Sequence, residues 1–471
     1  MSKMFPKTTI ASAVLLANAA FTLQAAAAPS VVTNGLDSGE GSLREALSTT
    51  SGEVVIATKE DIEIVEPLQY DGEGDLIILG NGQTVRTSYN VNLLEITQGA
   101  NLTINNLDFE GPGGFDIENR GDEGEVAGKG IFVDVADDQT GTVKLVLNDV
   151  SVSGVANHGI HISDCNLADD CGGGSGGGGE GSAAGIEITF NNVHVADVGY
   201  GRFDADGLRA DERDGGSVRF MAYDSSFLRV GADGIELDEG QDGGVFITVS
   251  DTDMSRNGGY CDPGVLEPFL EGEFALEDEV TEEELESSFE FGSPDDRCLE
   301  VDEVELFEGD EFVQSYVLAI DLDDGIDLDE AGDGAISALI FDSKIERNLD
   351  EGVDLDEEGQ GALSAYYVNT KANRNTDDGF KLTEEDEGAV NGFVFGVVAR
   401  NNGGKGLVFE EADQGGLDVI VQNTKTARND DNDDTGIEAV EEDSGSGTLT
   451  VENSTIKDGF DLDGVVLNDE S

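Results

Sequence analysis

Asp324-Gly325-Ile326-Asp327-Leu328-Asp329-Glu330 is followed 27 residues later by Glu351-Gly352-Val353-Asp354-Leu355-Asp356-Glu357. The same distance further on stands Asp378-Gly379-Phe380-Lys381-Leu382-Thr383-Glu384. Gly406 continues the series, and Gly207 and Gly234 share its spacing. Each stretch alternates apolar with acidic residues, the period-two signature of a strand with one buried face. A second alternating run follows a Gly turn, as in Val245-Phe246-Ile247-Thr248-Val249 and Leu417-Asp418-Val419-Ile420-Val421. Units close on Arg-Asn at 347-348, 374-375 and 428-429, so Asn348, Asn375 and Asn402 should stack in successive units. Asn suits that place because it tolerates tight-turn dihedrals and its amide bonds to backbone above and below. Two or three short strands per unit of about 27 residues, with no helical period, describe an all-β parallel solenoid.

Departures from the period mark insertions. Gly159 to Gly207 is 21 residues longer than one unit, which fits a Gly-rich loop at about 163–183. Gly234 to Cys298 is 37 residues longer than one unit, which fits a second loop at about 260–296. Cys298 then stands in the Gly place, and Leu299-Glu300-Val301-Asp302-Glu303 reads as one more coil. Thr281-Glu282-Glu283-Glu284 reads as the start of a short helix inside the second loop. Insertions at one phase of a repeat are what loops on a stacked array look like.

Near the start, Val31-Val32-Thr33-Asn34 leads into Gly41-Ser42-Leu43-Arg44-Glu45-Ala46-Leu47, and Asn101-Leu102-Thr103-Ile104-Asn105-Asn106-Leu107 follows. With these, the chain resembles the right-handed parallel β-helix (pectate-lyase-like) superfamily. Its Gly41–Leu47 stretch is similar to the capping motif of secreted bacterial members, although a Cys often stands where this chain has Gly41. The resemblance implies a single right-handed β-helix over residues 29–471, with about a dozen coils and a short capping helix at Ser42–Leu47. At ~4.8 Å per strand it would be roughly 50–60 Å long.

Lys3 and Lys7, the apolar run Thr9–Leu23 and Ala25–Ala28 read as a secretory signal peptide over residues 1–28. A secreted, periplasmic or cell-surface location follows. No other stretch has the ~20 apolar residues of a membrane span. In an oxidising compartment the four Cys favour disulfides, Cys165 with Cys171 and Cys261 with Cys298. Metal–thiolate sites are the alternative, without a CxxC spacing to support them.

The formal net charge is -77 from 102 Asp+Glu against 25 Lys+Arg. Nucleic acid is excluded as a partner, since that affinity comes from Lys and Arg displacing counterions. Cations are the charged partners that fit. Counting from each Gly, positions +1 and +3 are apolar and face the core, while +2, +4 and +5 collect the acids and face outward. The candidate metal ligands are Glu236, Asp238, Glu239, Asp327, Asp329, Glu330, Asp354, Asp356 and Glu357. Like charges stacked at strand spacing repel by about 1 kcal/mol each even in water. Two readings offset that repulsion. In one, bulk salt screens a halophile-type surface. In the other, calcium bridges carboxylates of adjacent coils, because it takes six to eight oxygen ligands in flexible geometry. No EF-hand loop or Gly-Gly-x-Gly-x-Asp nonapeptide is present.

The expectation is a secreted acidic β-helix that binds divalent cations and, through them, a glycan, mineral or cell-surface component. The alternative implied by the resemblance is a calcium-dependent polysaccharide lyase or related carbohydrate-active enzyme on an acidic glycan. His161, Arg209 and Glu236 occupy successive +2 places, so His161 and Arg209 are its candidate catalytic residues, with Lys381 a second candidate. Against it, Arg209 and Lys381 would equally relieve ladder repulsion.

Overall fold

In a computed structural model the chain is a right-handed parallel β-helix. The structure describes residues 28–115, 127–165, 181–202, 204–258, 323–429, 435–442 and 446–470, with the backbone alone of strands Glu300–Glu308 and Glu311–Ala319. The stretch 1–27 of the expected signal peptide, most of both expected loops, and Cys171, Cys261 and Cys298 lie outside the described residues; Cys165 is buried.

Each coil contributes one strand to a twelve-stranded parallel sheet that runs from Leu68–Tyr70 to Phe460–Asp463. The other strands of each coil join a 22-stranded sheet. Position +1 stacks Ile235, Ile326, Val353, Phe380, Leu407 and Ile437, and +3 stacks Leu237, Leu328, Leu355, Leu382, Phe409 and Ala439, all fully buried. The period-two alternation therefore builds the core as its spacing predicts.

Two left-handed corners per coil bend the chain. The first holds Asp251, Asp342, Asn369 and Asn423 at φ near 50°. Asp and Asn tolerate this region better than other side chains. The second falls on the Arg of each Arg-Asn pair, with φ 67° at Arg347, 63° at Arg374 and 62° at Arg428. The Asn that follows is buried, and its Oδ1 accepts a backbone N–H from the coil before it. These bonds run Asn348 N to Asn375 Oδ1 at 3.2 Å, Asn375 N to Asn402 Oδ1 at 3.1 Å and Asn402 N to Asn429 Oδ1 at 3.2 Å. Asn257 joins the ladder at one end, and Asp458 accepts from Asn429 N at the other.

The helix Leu43–Thr49 caps the tube and buries Leu43, Ala46 and Leu47. Ser42 Oγ accepts from Glu45 N, and Glu45 Oε2 accepts from Gly41 N at 2.6 Å, so the local sequence closes its own N-terminus.

One coil expected from the repeat is absent. Glu236 pairs directly with Asp327 and Asp238 with Asp329, so the stack passes from Ile235–Glu239 to Ile326–Glu330. The stretch Glu300–Glu308 instead forms an antiparallel hairpin with Glu311–Ala319. Alternation alone does not distinguish a coil strand from a hairpin strand, because both have the same period.

Candidate functional site

Before the last coil, where Asp461 and Asp463 are exposed, the described acids at +2, +4 and +5 are not a solvated surface. On the twelve-stranded sheet Glu236, Asp238, Asp329, Asp354 and every described +5 Glu are buried, while Asp327 and Asp356 are half-buried. Position +5 is the most regular. Glu212, Glu239, Glu330, Glu357, Glu384, Glu411 and Glu441 lie in register on successive coils. Oε1 accepts the backbone N–H of the Gly four residues on, at 2.8 Å in Gly216 and Gly361 and 3.1 Å in Gly243 and Gly334. The second oxygen of Glu212, Glu239, Glu330 and Glu357 is buried without a hydrogen-bond partner, beside the glutamates of the adjacent coils. Burial, followed by the neighbouring Glu, pushes Glu212 up to about 10, Glu330 to about 9, Glu384 to about 8 and Glu411 to about 7. Each of these seven Glu is followed by Gly at the fourth residue, Gly388, Gly415 and Gly445 included, and that spacing is the sequence signal the strand alternation conceals.

Positions +2 and +4, with the turns beside them, assemble groups of three carboxylates whose oxygens lie within 4.8 Å of one another. Asp324, Glu351 and Asp354 form a wholly buried group, and Glu236, Asp327 and Asp329 form a second in which Asp327 is half-buried. The others are Asp204, Asp206 and Glu236, and Asp350, Glu351 and Asp377. In the first group Asp324 Oδ1 and Asp354 Oδ1 are buried without a hydrogen-bond partner. Lys381 Nζ reaches Asp354 Oδ2 at 2.6 Å and Glu351 Oε1 at 3.7 Å. Burial opposes the Lys381 charge, but Asp354, Asp356 and Glu351 outweigh it and hold the ammonium above its ordinary range. Burial and Glu351 raise Asp324 well above the carboxylate range, and burial and Asp354 push Glu351 up to about 8. Burial and Asp329 likewise raise Asp327, and burial and Asp238 raise Asp329. Without a cation these groups cannot all ionise.

A basic cluster occupies the earlier coils of the same sheet. His161, Arg209 and Glu236 stack in register, with Asp211 beside Ser163 and Asp238. Arg209 Nε donates to Asp211 Oδ1 at 2.7 Å, Nη1 reaches Asp204 Oδ1 at 3.1 Å, and Nη1 also pairs with Glu236 Oε2. Arg213 Nη2 takes Asp238 Oδ2 at 2.6 Å. His161 Nε2 lies 2.7 Å from Asp211 Oδ2, and His161 Nδ1 meets Lys129 Nζ. Burial, with Lys129 adding to it, lowers His161 well below the usual imidazole value, so the ring is neutral. Neutral imidazole donating from Nε2 to Asp211 leaves Nδ1 as the acceptor that faces Lys129. Burial lowers Lys129 to about 7, helped by Arg202 and Arg209 against the pull of Asp211. An amine that titrates near neutrality beside an oriented imidazole can exchange protons with a ligand.

Of the residues that the repeat singles out, Glu236, Asp327 and Asp329 come together in one carboxylate group, and Asp354 joins another with Lys381 at its edge. Asp238 is taken up by Arg213, and Asp356 stands beside the groups without joining one. Glu239, Glu330 and Glu357 belong to the +5 column, each accepting the N–H of the Gly four residues on. His161 and Arg209 are brought together, and Lys381 lies several coils away. The repeat pattern does not point to Asp324 and Glu351, although each directly precedes a repeat Gly, nor to Lys129 and Asp206, which lie in turns.

No protein-family model matches the sequence, and no curated protein matches it either. Solved structures similar to it include the following three. The ORF18 protein of Geobacillus virus E2 has 10% identity and a TM-score of 0.38 over 92% of this chain, which spans 60% of that protein's length. The A-module of the Azotobacter vinelandii mannuronan C-5 epimerase AlgE6 has 10% identity and a TM-score of 0.36, covering 93% of this chain and 98% of its own. Pectate lyase Pel9A has 13% identity and a TM-score of 0.30, covering 91% of this chain and 79% of its own. These similarities concern the parallel β-helix fold, which the strand register itself establishes.

Proposed function

We propose that the acidic sheet is a lattice of divalent-cation sites, with calcium as the ion, on a secreted β-helix whose role is structural, adhesive or surface-binding. The observation that carries this reading is the buried group Asp324, Glu351 and Asp354, in which two carboxylate oxygens lack a hydrogen-bond partner. Hard oxygen donors without a fixed polyhedron suit calcium better than magnesium, which demands near-ideal octahedral geometry. The same arithmetic applies at Glu236, Asp327 and Asp329, where Arg209 supplies part of the compensation. Thermal melting with and without calcium at matched ionic strength tests it. Calcium should raise the melting temperature beyond sodium salts, and Asp324→Asn with Glu351→Gln should remove most of that gain. Equal stabilisation by sodium would leave only a salt-screened surface.

The basic cluster favours a second reading, a lyase or related carbohydrate-active enzyme on an acidic glycan. There Lys129, oriented with His161 and Asp211, would take the proton beside the uronate carboxylate, while Arg209, buried among Asp204, Asp211 and Glu236, would hold Asp211 in place. Its support is the amine of Lys129 held at about 7. Formation of an unsaturated uronate from alginate or pectate, lost in Lys129→Ala, would establish it.

A further inference from the structure

The 22-stranded sheet carries a surface of opposite character. Strands Val245–Ser250, Ile336–Phe341, Leu363–Val368 and Val390–Phe395 are neighbours in register. Together they contain no Asp, Glu, Lys or Arg, in a chain with 102 Asp+Glu. Their outward positions instead hold Phe246, Leu339, Tyr366, Phe393 and Phe395. Leu339, Tyr366 and Phe395 are 37%, 45% and 36% exposed, as large apolar side chains seldom are on a sheet face open to water.

The rings are arranged as a floor. Tyr366 and Phe393 are register partners with ring centroids 6.5 Å apart, and Phe393 and Phe395 are 6.4 Å apart and tilted by only 10°. At one end the floor borders a groove of ≈ 550 Å³ whose far wall carries Glu187 and Arg219, the latter lying over the Phe246 ring at 4.1 Å. Hydroxyl and amide groups of Ser337, Ser364 and Asn391 form the next outward column.

We infer that this face binds an uncharged, extended, β-linked polysaccharide. A pyranose ring offers a flat C–H face that lies against an aromatic ring, while its hydroxyls stay at the rim for polar neighbours. Phe393 and Phe395, with nearly parallel ring planes, suit successive sugars of a flat polymer, and Tyr366, tilted by 47° to Phe393, flanks them. Charge narrows the occupant. A second copy of the chain would bring together two bodies of net charge -77, and an anionic polymer would meet the same field. None of the carboxylates of the acidic sheet takes part, so glycan binding here and cation binding there stand or fall separately.

Affinity electrophoresis of the full chain through gels containing hydroxyethyl cellulose, xylan or galactomannan, with alginate as the charged comparison, tests it. Migration should be retarded by at least one neutral polymer and not by alginate. The double variant Tyr366→Ala, Phe393→Ala should weaken that retardation about tenfold with an unchanged melting temperature, and Glu351→Gln should keep it. Absence of retardation in every neutral gel, or equal retardation of the double variant, would overturn the inference. So would a dimer in light scattering that the double variant abolishes, since the occupant would then be a second copy.

Discussion

The Gly361 amide donates to Glu357 Oε1 at 2.8 Å, and a side chain on Gly361 would collide with that same oxygen. Gly216, Gly243 and Gly334 donate in the same way. A Cβ on any of these or on Gly388 or Gly415 would collide with the Glu four residues before it and, at all but Gly216, with the Gly carbonyl of the adjacent coil, as it would on Gly361. The glycine is thus required by space, since φ is ordinary at each of these positions. Gly361→Ala should lower stability by about 1–3 kcal/mol through overpacking, read as a denaturant midpoint. Gly215→Ala is the matched control: a Cβ there meets nothing within 4 Å, and its stability should be unchanged or slightly higher.

The column of +5 glutamates sets a pH dependence whose sign can be worked out. Glu212, Glu330, Glu384 and Glu411 hold their protons up to about 10, 9, 8 and 7 when folded, against about 4.3 in an unfolded chain. A raised carboxyl means that the folded state binds more protons, so its contribution is complete below the unfolded value and is lost as pH rises through the folded one. In chelator, the melting temperature should fall from about pH 4.3 upward until pH passes the folded values. Glu384→Gln mimics the protonated carboxyl, so it should match the parent only near the acid end, exceed it in stability above that, and flatten the fall. A melting temperature that rises over this range would show the column to be ionised.

The strand phase was legible in the sequence because a period of two in register with a period of 27 leaves one core assignment. Ile326 and Leu328 could face only inward, and the Asn348–Asn375–Asn402 ladder followed from the same arithmetic. Burial of the other face was not legible. Alternation says which residues leave the core tube, not what the turns bring beside them. Asp324 and Glu351 lie in such turns and convert an outward strand position at Asp354 into a buried cluster. Lys129 escaped for a related reason: it reaches His161 from a turn of the preceding coil, a contact without sequence periodicity.

Lys381 and calcium should prove interchangeable in part. Lys381 is the cation beside Asp354 and Glu351. Lys381→Met removes it while keeping the apolar stem, leaving buried carboxylates without compensation at a loss of about 1–3 kcal/mol in chelator. A divalent ion at Asp324, Glu351 and Asp354 would restore much of that loss, so the calcium-induced rise in melting temperature should be larger in the variant than in the parent chain. Because the ligands must be deprotonated, the rise should also grow with pH, opposite in sign to the chelated protein. An identical response in variant and parent would detach Lys381 from the cation site.

The Lys129 amine provides a reading of the basic cluster that requires no substrate. Burial, together with Arg202 and Arg209, brings it to about 7, whereas Lys381 and Lys405 are raised by the carboxylates around them. Only the neutral amine is acylated, so competitive labelling across pH followed by peptide mass spectrometry should give Lys129 a midpoint near 7 and leave the other two unreactive over the same range. Asp211→Asn removes a carboxylate that raises Lys129 and should move the midpoint lower. Arg209→Met removes a cation that lowers it and should move the midpoint higher. A Lys129 that titrates with the surface lysines would mean that the amine is solvated and charged, and the cluster would then be an ion-pair network that relieves the acidic sheet.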